Sequence, residues 1–237
     1  MNAKLIFALI PIAVSLIGCN TDSTTLPIED YTGSPEGLYV NADSAAVMFV
    51  GASDSEFPIV ISDFDSNSIY ATKQVVETFP TIKTQGLISW SALEWINDNT
   101  TEFSILIDGT QANAYSNLVD TTVLYTFNKS PKSLSLEELS SGWVETESNA
   151  NWQINSDGTY RINPFDTCIF EGTLIETHDF YISLDSVASG CTNHLLDGAF
   201  PQVRIATFTQ NQSTYVVGTF FREDVIIWDN VIEASNN

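Results

Sequence analysis

Apolar and polar residues alternate with a period of two along most of the chain after residue 36. Phe103, Ile105 and Ile107 fall on one face of 101–108, and Phe180, Ile182 and Leu184 on one face of 180–185. That pattern predicts half-buried strands, because successive strand side chains point to opposite sides. Further strands are predicted over 37–41, 45–51, 57–63, 68–76, 86–92, 121–128, 143–147, 150–155, 159–163, 168–176, 201–209, 213–222 and 224–233. They are rich in Val, Ile, Thr and aromatic residues and are punctuated by Gly, Asn, Asp and Ser.

One hairpin can be read to its register. In 150–163, a three-residue loop Ser156-Asp157-Gly158 pairs Ile154 with Tyr160 and Trp152 with Ile162, so all four large apolar residues share a face. A two-residue Asp157-Gly158 turn would set Ile154 against Arg161 and scatter that face. A second hairpin is predicted with its turn at 176–179, pairing Ile175 with Phe180 and Thr173 with Ile182. Helix is scarce. Residues 133–139 form the best candidate, with Ser135 and Glu138 spaced as a capping box and Gly142 placed to stop the helix. Lys129-Ser130-Pro131-Lys132, just before it, is the best internal boundary.

The two sides of that boundary share an order of short segments. Gly37-Leu38-Tyr39-Val40 is echoed by Gly142-Trp143-Val144, and Gln85-Gly86-Leu87-Ile88 by Glu171-Gly172-Thr173-Leu174-Ile175. The 103–108 segment is echoed by 180–185, and 123–127 by 204–208. The spacings differ, so no fixed period exists. The expectation is an all-β protein, an antiparallel barrel or sandwich. It is organised either as two tandem related units, 37–129 and 133–234, joined by one short helix, or as a single β domain over 37–234.

Composition changes this picture in one respect. The 237 residues carry 8 Lys+Arg against 30 Asp+Glu, for a net charge of -22, while 43% are hydrophobic. The apolar fraction suffices for a core. The charge argues against a nucleic-acid partner, since phosphate binding needs clustered cations, and disfavours direct docking of the folded part onto anionic lipid.

The N-terminus reads as an address. Lys4 precedes an apolar run of about 13 residues, broken by Pro11 and too short for the roughly 20 that span a bilayer. The run ends in Leu16-Ile17-Gly18-Cys19, which resembles the lipobox of bacterial lipoproteins. The resemblance covers the first 19 residues. It implies removal of signal peptide 1–18, a diacylglyceryl thioether on Cys19 and acylation, such as palmitoylation, of its new amino group. Several chains make a stable membrane anchor. Asn20 rather than Asp after the cysteine implies the outer membrane, on either its periplasmic or its external face. Residues 19–36, poor in apolar residues and holding Pro27, Gly33 and Pro35, read as a lipidated flexible tether.

In that oxidising setting the two remaining cysteines, Cys168 and Cys191, are expected to form a disulfide. The hairpin register above does not place them opposite each other, so a bend at Ser189-Gly190 must bring Cys191 back.

The chemical inventory is thin. His178 and His194 are the only candidate bases, both in predicted turns or loops and best read as surface histidines. Gly51-Ala52-Ser53-Asp54-Ser55 lacks the second glycine of a nucleophile elbow. Asp63 and Asp65 resemble the first half of a calcium loop, but Ser68 replaces its turn glycine and Gln74 its bidentate acid, leaving at most a weak ion site shared with Asp54 and Glu56. No cofactor is expected. Five tryptophans, Trp90, Trp95, Trp143, Trp152 and Trp228, bear on sugar or apolar-ligand binding. Trp152 reads as core. Trp90 and Trp95, five apart in a strand, are expected on opposite faces with one exposed.

The functional expectation is a non-catalytic lipoprotein of the outer membrane, binding or assembling with a protein or glycan partner in the envelope. The alternatives are a lipocalin-like carrier of a small apolar ligand and a glycan or cell-wall hydrolase.

Overall fold

The structure is a computed structural model that describes residues 34–41, 43–77, 81–91, 94–118, 121–140, 143–144, 151–165, 168–223 and 225–233. The expected signal peptide, lipobox and lipidated tether up to residue 33, Cys19 and Asn20 included, lie outside the described residues, as does Gly142. The protein is all-β. Strands β1 (Gly37–Asn41), β2 (Ala46–Val50), β3 (Ile59–Asp63), β4 (Ser68–Glu77), β5 (Thr81–Trp90), β6 (Trp95–Asp108), β7 (Gln111–Leu118) and β8 (Thr121–Lys129) follow one another as antiparallel neighbours. β8 pairs back onto β1 and closes a barrel.

A connector carrying the single-turn helix α1 (Leu136–Leu139) leads to the second unit. Its strands are β9 (Trp143–Val144), β10 (Asn151–Ile154), β11 (Thr159–Phe165), β12 (Cys168–Thr173), β13 (Ile175–Thr177), β14 (Phe180–Ser183), β15 (Ser186–Ser189), β16 (Gly198–Phe200), β17 (Gln202–Gln210), β18 (Ser213–Arg222) and β19 (Val225–Glu233). They form one sheet in the order β13-β14-β17-β18-β19-β9-β10-β11-β12-β15-β16. The segments that echo each other in sequence do not occupy equivalent places. β8 closes a barrel against β1, whereas β17 lies between β14 and β18.

Alternation explains how the barrel is both filled and docked. Tyr39, Met48, Ile61, Phe103, Ile105 and Phe127 are buried on the inward face. Leu38, Val47, Phe49, Val60, Ile69, Ala71 and Ile88 point outward, yet are buried too. They pack against Phe180, Ala206, Phe208, Val217 and Phe221 of the second sheet. Phe49 meets Phe180 edge-on at 5.3 Å between ring centres. The described residues, from Ser34 to Glu233, accordingly fall in one compact unit. The other face of the second sheet wraps its own core of Trp143, Trp152, Phe170, Phe200 and Phe220.

The hairpin over β10 and β11 has the predicted register, Ile154 opposite Tyr160 and Trp152 opposite Ile162, with Gly158 at φ +88°. The second hairpin corrects its prediction. Ile175 pairs with Ile182 and Thr177 with Phe180, so the turn is only His178-Asp179, with His178 at φ +45°. The shift of two positions keeps every side chain on its predicted face, which is why alternation could not detect it. β12 and β13 break at Leu174, and Leu184 lies beyond the end of β14, 63% exposed. Cys168 and Cys191 are disulfide-bonded. β12 pairs with β15 rather than with β14, and Ile169 faces Ser189, so Gly190 turns the chain just where Cys191 can reach Cys168.

The capping box forms, with Ser135 Oγ accepting the Glu138 N–H and the Glu138 carboxylate accepting the Ser135 N–H. Those donors hold the Glu138 carboxyl below its ordinary range. The helix is shorter than predicted because Leu134 is tied elsewhere. Its N–H donates to Thr207 Oγ1 and its carbonyl accepts the Tyr181 hydroxyl, both at 2.9 Å. Among the described residues no helix is long and apolar enough to cross a membrane.

Candidate functional site

Two features of the outer barrel wall stand out, one aromatic and one cationic. The first begins at the β5–β6 hairpin. Trp90 ends β5, Trp95 opens β6, and the register sets them directly opposite. They therefore share a face, correcting the expectation of opposite faces, which assumed one continuous strand through both. Both are exposed, at 36% and 45%. The Trp90 ring also meets Trp228 of β19 at 4.9 Å, edge to face, so the ledge spans both units.

Polar groups continue the same face along β6. Asn97 lies opposite Ile88, and Asn97 and Asn99 alternate in phase with Trp95. Lys73 reaches both from β4, with Nζ 2.6 Å from Asn97 Oδ1 and also bonded to Asn99 Oδ1. Its stem crosses Gly86, where an added Cβ would meet Lys73 Cδ at 3.0 Å. Gly86 sits at φ +88° within a bulge, where the register passes from Gln85–Glu102 to Leu87–Asp98. Asp98 braces the bulge beneath, accepting from Thr101 Oγ1 at 2.6 Å and from the Thr100 N–H at 2.8 Å. These bonds hold its carboxyl below the usual carboxylate range. Lysine thus uses both side-chain carbonyls and leaves the two amide NH₂ groups as donors beside exposed indoles.

The second feature is a cleft of about 240 Å³ between the β2–β3 loop and strands β13, β14 and β17. Gly51 and Ser55 line it from the barrel side, and Thr177, Ile182, Leu184 and Arg204 from the sheet. Arg204 is 4% exposed. Its Nη2 donates to the Phe57 carbonyl, while Nη1 has no partner among the described residues. Burial pushes the guanidinium down to about 10.

The remaining candidates are dispersed. His178 sits in the tight turn, its Nε2 against Glu36. His194 opens a 3₁₀ turn with Nδ1 3.0 Å from Asp197 Oδ2, and Asp197 also accepts the Cys191 N–H. Asp63 and Asp65 do not act together. Asp63 is buried, accepting the Ser66 N–H at 3.0 Å and the Tyr125 hydroxyl at 2.9 Å, whereas Asp65 is exposed. Burial, with Tyr70 and Asp63 nearby, drives the Tyr125 phenol upward. Among the described residues no three His, Cys, Asp or Glu side chains cluster as metal ligands. Trp143 and Trp152 are core.

Sequence reading did not single out Lys73, Asn97, Asn99 or Arg204. Only Arg204 carried a signal, as a cation flanked by apolar residues in Val203-Arg204-Ile205-Ala206. No family model, no curated protein and no solved structure matches the chain.

Proposed function

We propose that this protein is a non-catalytic lipoprotein of the outer membrane, held by acylated Cys19, whose folded body binds an envelope glycan along the Trp90–Trp95 ledge. The lipobox residues Leu16-Ile17-Gly18-Cys19 support the anchor. The observation that carries the binding role is the exposed indole pair continuous with Asn97, Asn99 and Lys73. Exposed aromatic patches rimmed by polar groups mark interaction sites. An indole face covers the apolar face of a sugar ring, and amide donors beside it meet ring hydroxyls. A net charge of -22 repels polyanions, so the glycan is a neutral or cationic one.

Amino-sugar oligomers are the direct probe. Chitooligosaccharides are expected to quench the tryptophan fluorescence saturably, and Trp95→Ala to weaken binding at least tenfold, about 1.4 kcal/mol. Trp95 is nearly half exposed, so its removal leaves the core intact. Unchanged affinity in Trp95→Ala, or no quenching at all, overturns the glycan reading. Metabolic labelling with palmitate tests the anchor separately, with loss of label expected in Cys19→Ala.

A carrier that held ligand inside the barrel would need that interior open. Tyr39, Met48, Phe103 and Phe127 occupy it instead, and the carrier reading is not the one favoured here.

A further inference from the structure

Arg204 poses a problem that the glycan ledge does not answer. The chain has 30 acidic residues, yet its buried guanidinium forms no ion pair among the described residues. Glu56, on the β2–β3 loop, accepts instead from Gln202 Nε2 at 3.4 Å. A buried cation without a counter-ion is costly, and removing one hydrogen-bond partner from such a group is more costly still. The Phe57 carbonyl satisfies one arm only.

The surroundings are those of a seat for an anion. Arg204 faces Ile182 on one neighbouring strand and Thr219 on the other, so the three side chains form a row across β14, β17 and β18. Thr219 Oγ1 is also buried and without a partner among the described residues. Arg204 and Thr219, each with an unused polar atom, are therefore cross-strand neighbours. Arg204 also lines the cleft described above. The β2–β3 loop packs over the guanidinium, and a Cβ on Gly51 would stand 3.4 Å from Arg204 Nη2.

We propose that this cleft binds a small amphiphilic monocarboxylate, with the carboxylate on Arg204 and the apolar body against Phe180, Ile182 and Leu184. A guanidinium matches a carboxylate with two parallel donors. Its single charge, in a strongly acidic protein, selects a monoanion over phosphate esters or dicarboxylates. A volume of about 240 Å³ holds roughly eight water-sized groups, the size of a carboxylate with a chain of about six carbons. Leu184, 63% exposed at the mouth, is an apolar surface that such a chain would cover.

Calorimetric titration of the intact chain in detergent tests this with hexanoate, 1-hexanol and adipate. Hexanoate is expected to bind saturably and at least tenfold more tightly than either of the others. Arg204→Met fills the same volume without charge. It is expected to abolish the preference for hexanoate while melting at or above the wild-type temperature, because an unpaired buried charge has been removed. Leu184→Asp places a like charge at the mouth on an exposed position, and is expected to weaken hexanoate tenfold with no change in melting. It decides the matter should Arg204→Met not fold. Equal affinity for hexanoate and hexanol, or no heat from hexanoate at millimolar concentration, overturns the proposal. Undiminished hexanoate binding by Leu184→Asp or by folded Arg204→Met does the same. The glycan ledge stands or falls independently of any of these results.

Discussion

Gly218 has no side chain because Trp152 occupies the space. A Cβ there would stand 2.5 Å from Trp152 Cη2 and 3.1 Å from Phe220 Cε2, and both rings are fully buried. Neither can retreat, since they pack against each other and Trp152 Nε1 donates to Asp229 Oδ2. Gly218→Ala is therefore expected to destabilise by about 1–3 kcal/mol through overpacking. Urea denaturation checks it, and an unchanged midpoint would show that the indole has room to move. Nothing in the run Val216-Val217-Gly218-Thr219 announces this contact, because the ring that needs the space lies on a strand far away in sequence. Trp152 itself was legible as core, since its partner Ile162 is close along the chain.

At the scale of elements, legibility followed composition and distance. β1 and β18 have the bounds their alternation predicts, and the β10–β11 hairpin has its predicted register. β7 was missed because Gln111–Leu118 is built of small and polar residues. Ala112 and Ala114 are nonetheless buried, since the large rings of neighbouring β8 fill the barrel and leave small side chains to fit. β15 and β16 were missed because they are short, and β15 owes its place to β12 while β16 pairs with β15 across a long connection rather than a tight turn. The disulfide fastens this edge, closing a loop with a sequence separation of 23. Replacing both Cys168 and Cys191 by Ala is expected to lower stability by roughly 3 kcal/mol. Denaturant midpoints with and without a reducing agent should reproduce the same difference in the wild type and none in the double variant.

For the whole molecule, the decisive feature is that the outer wall of the barrel is also core. Phe49, Val60 and Ile88 face the second sheet, not water. Neither unit can lose its partner without exposing a large apolar face, so the two are expected to unfold together. Tryptophan fluorescence and far-ultraviolet circular dichroism should trace one coincident transition. Phe49→Ala, which empties a fully buried position in the shared layer, should shift both signals equally, by about 3–5 kcal/mol. Two separated transitions would contradict this. The same layer creates the ledge and the cleft, because Trp90 meets Trp228 across it and Arg204 donates across it to the Phe57 carbonyl.

By itself the sequence determined that this chain folds as antiparallel strands, which neighbouring side chains of a strand share a face, where one hairpin turns and how α1 is capped. Each of these depends on neighbours a few residues apart, so alternation and turn chemistry suffice. Only the tertiary structure decided that β8 returns to β1, that the barrel docks on the second sheet, and that a buried arginine stands without an acid among the described residues. A period of two says that a side of a strand is covered but not by what, and that choice is made between residues far apart along the chain, such as Tyr39 and Lys129 or Phe49 and Phe180.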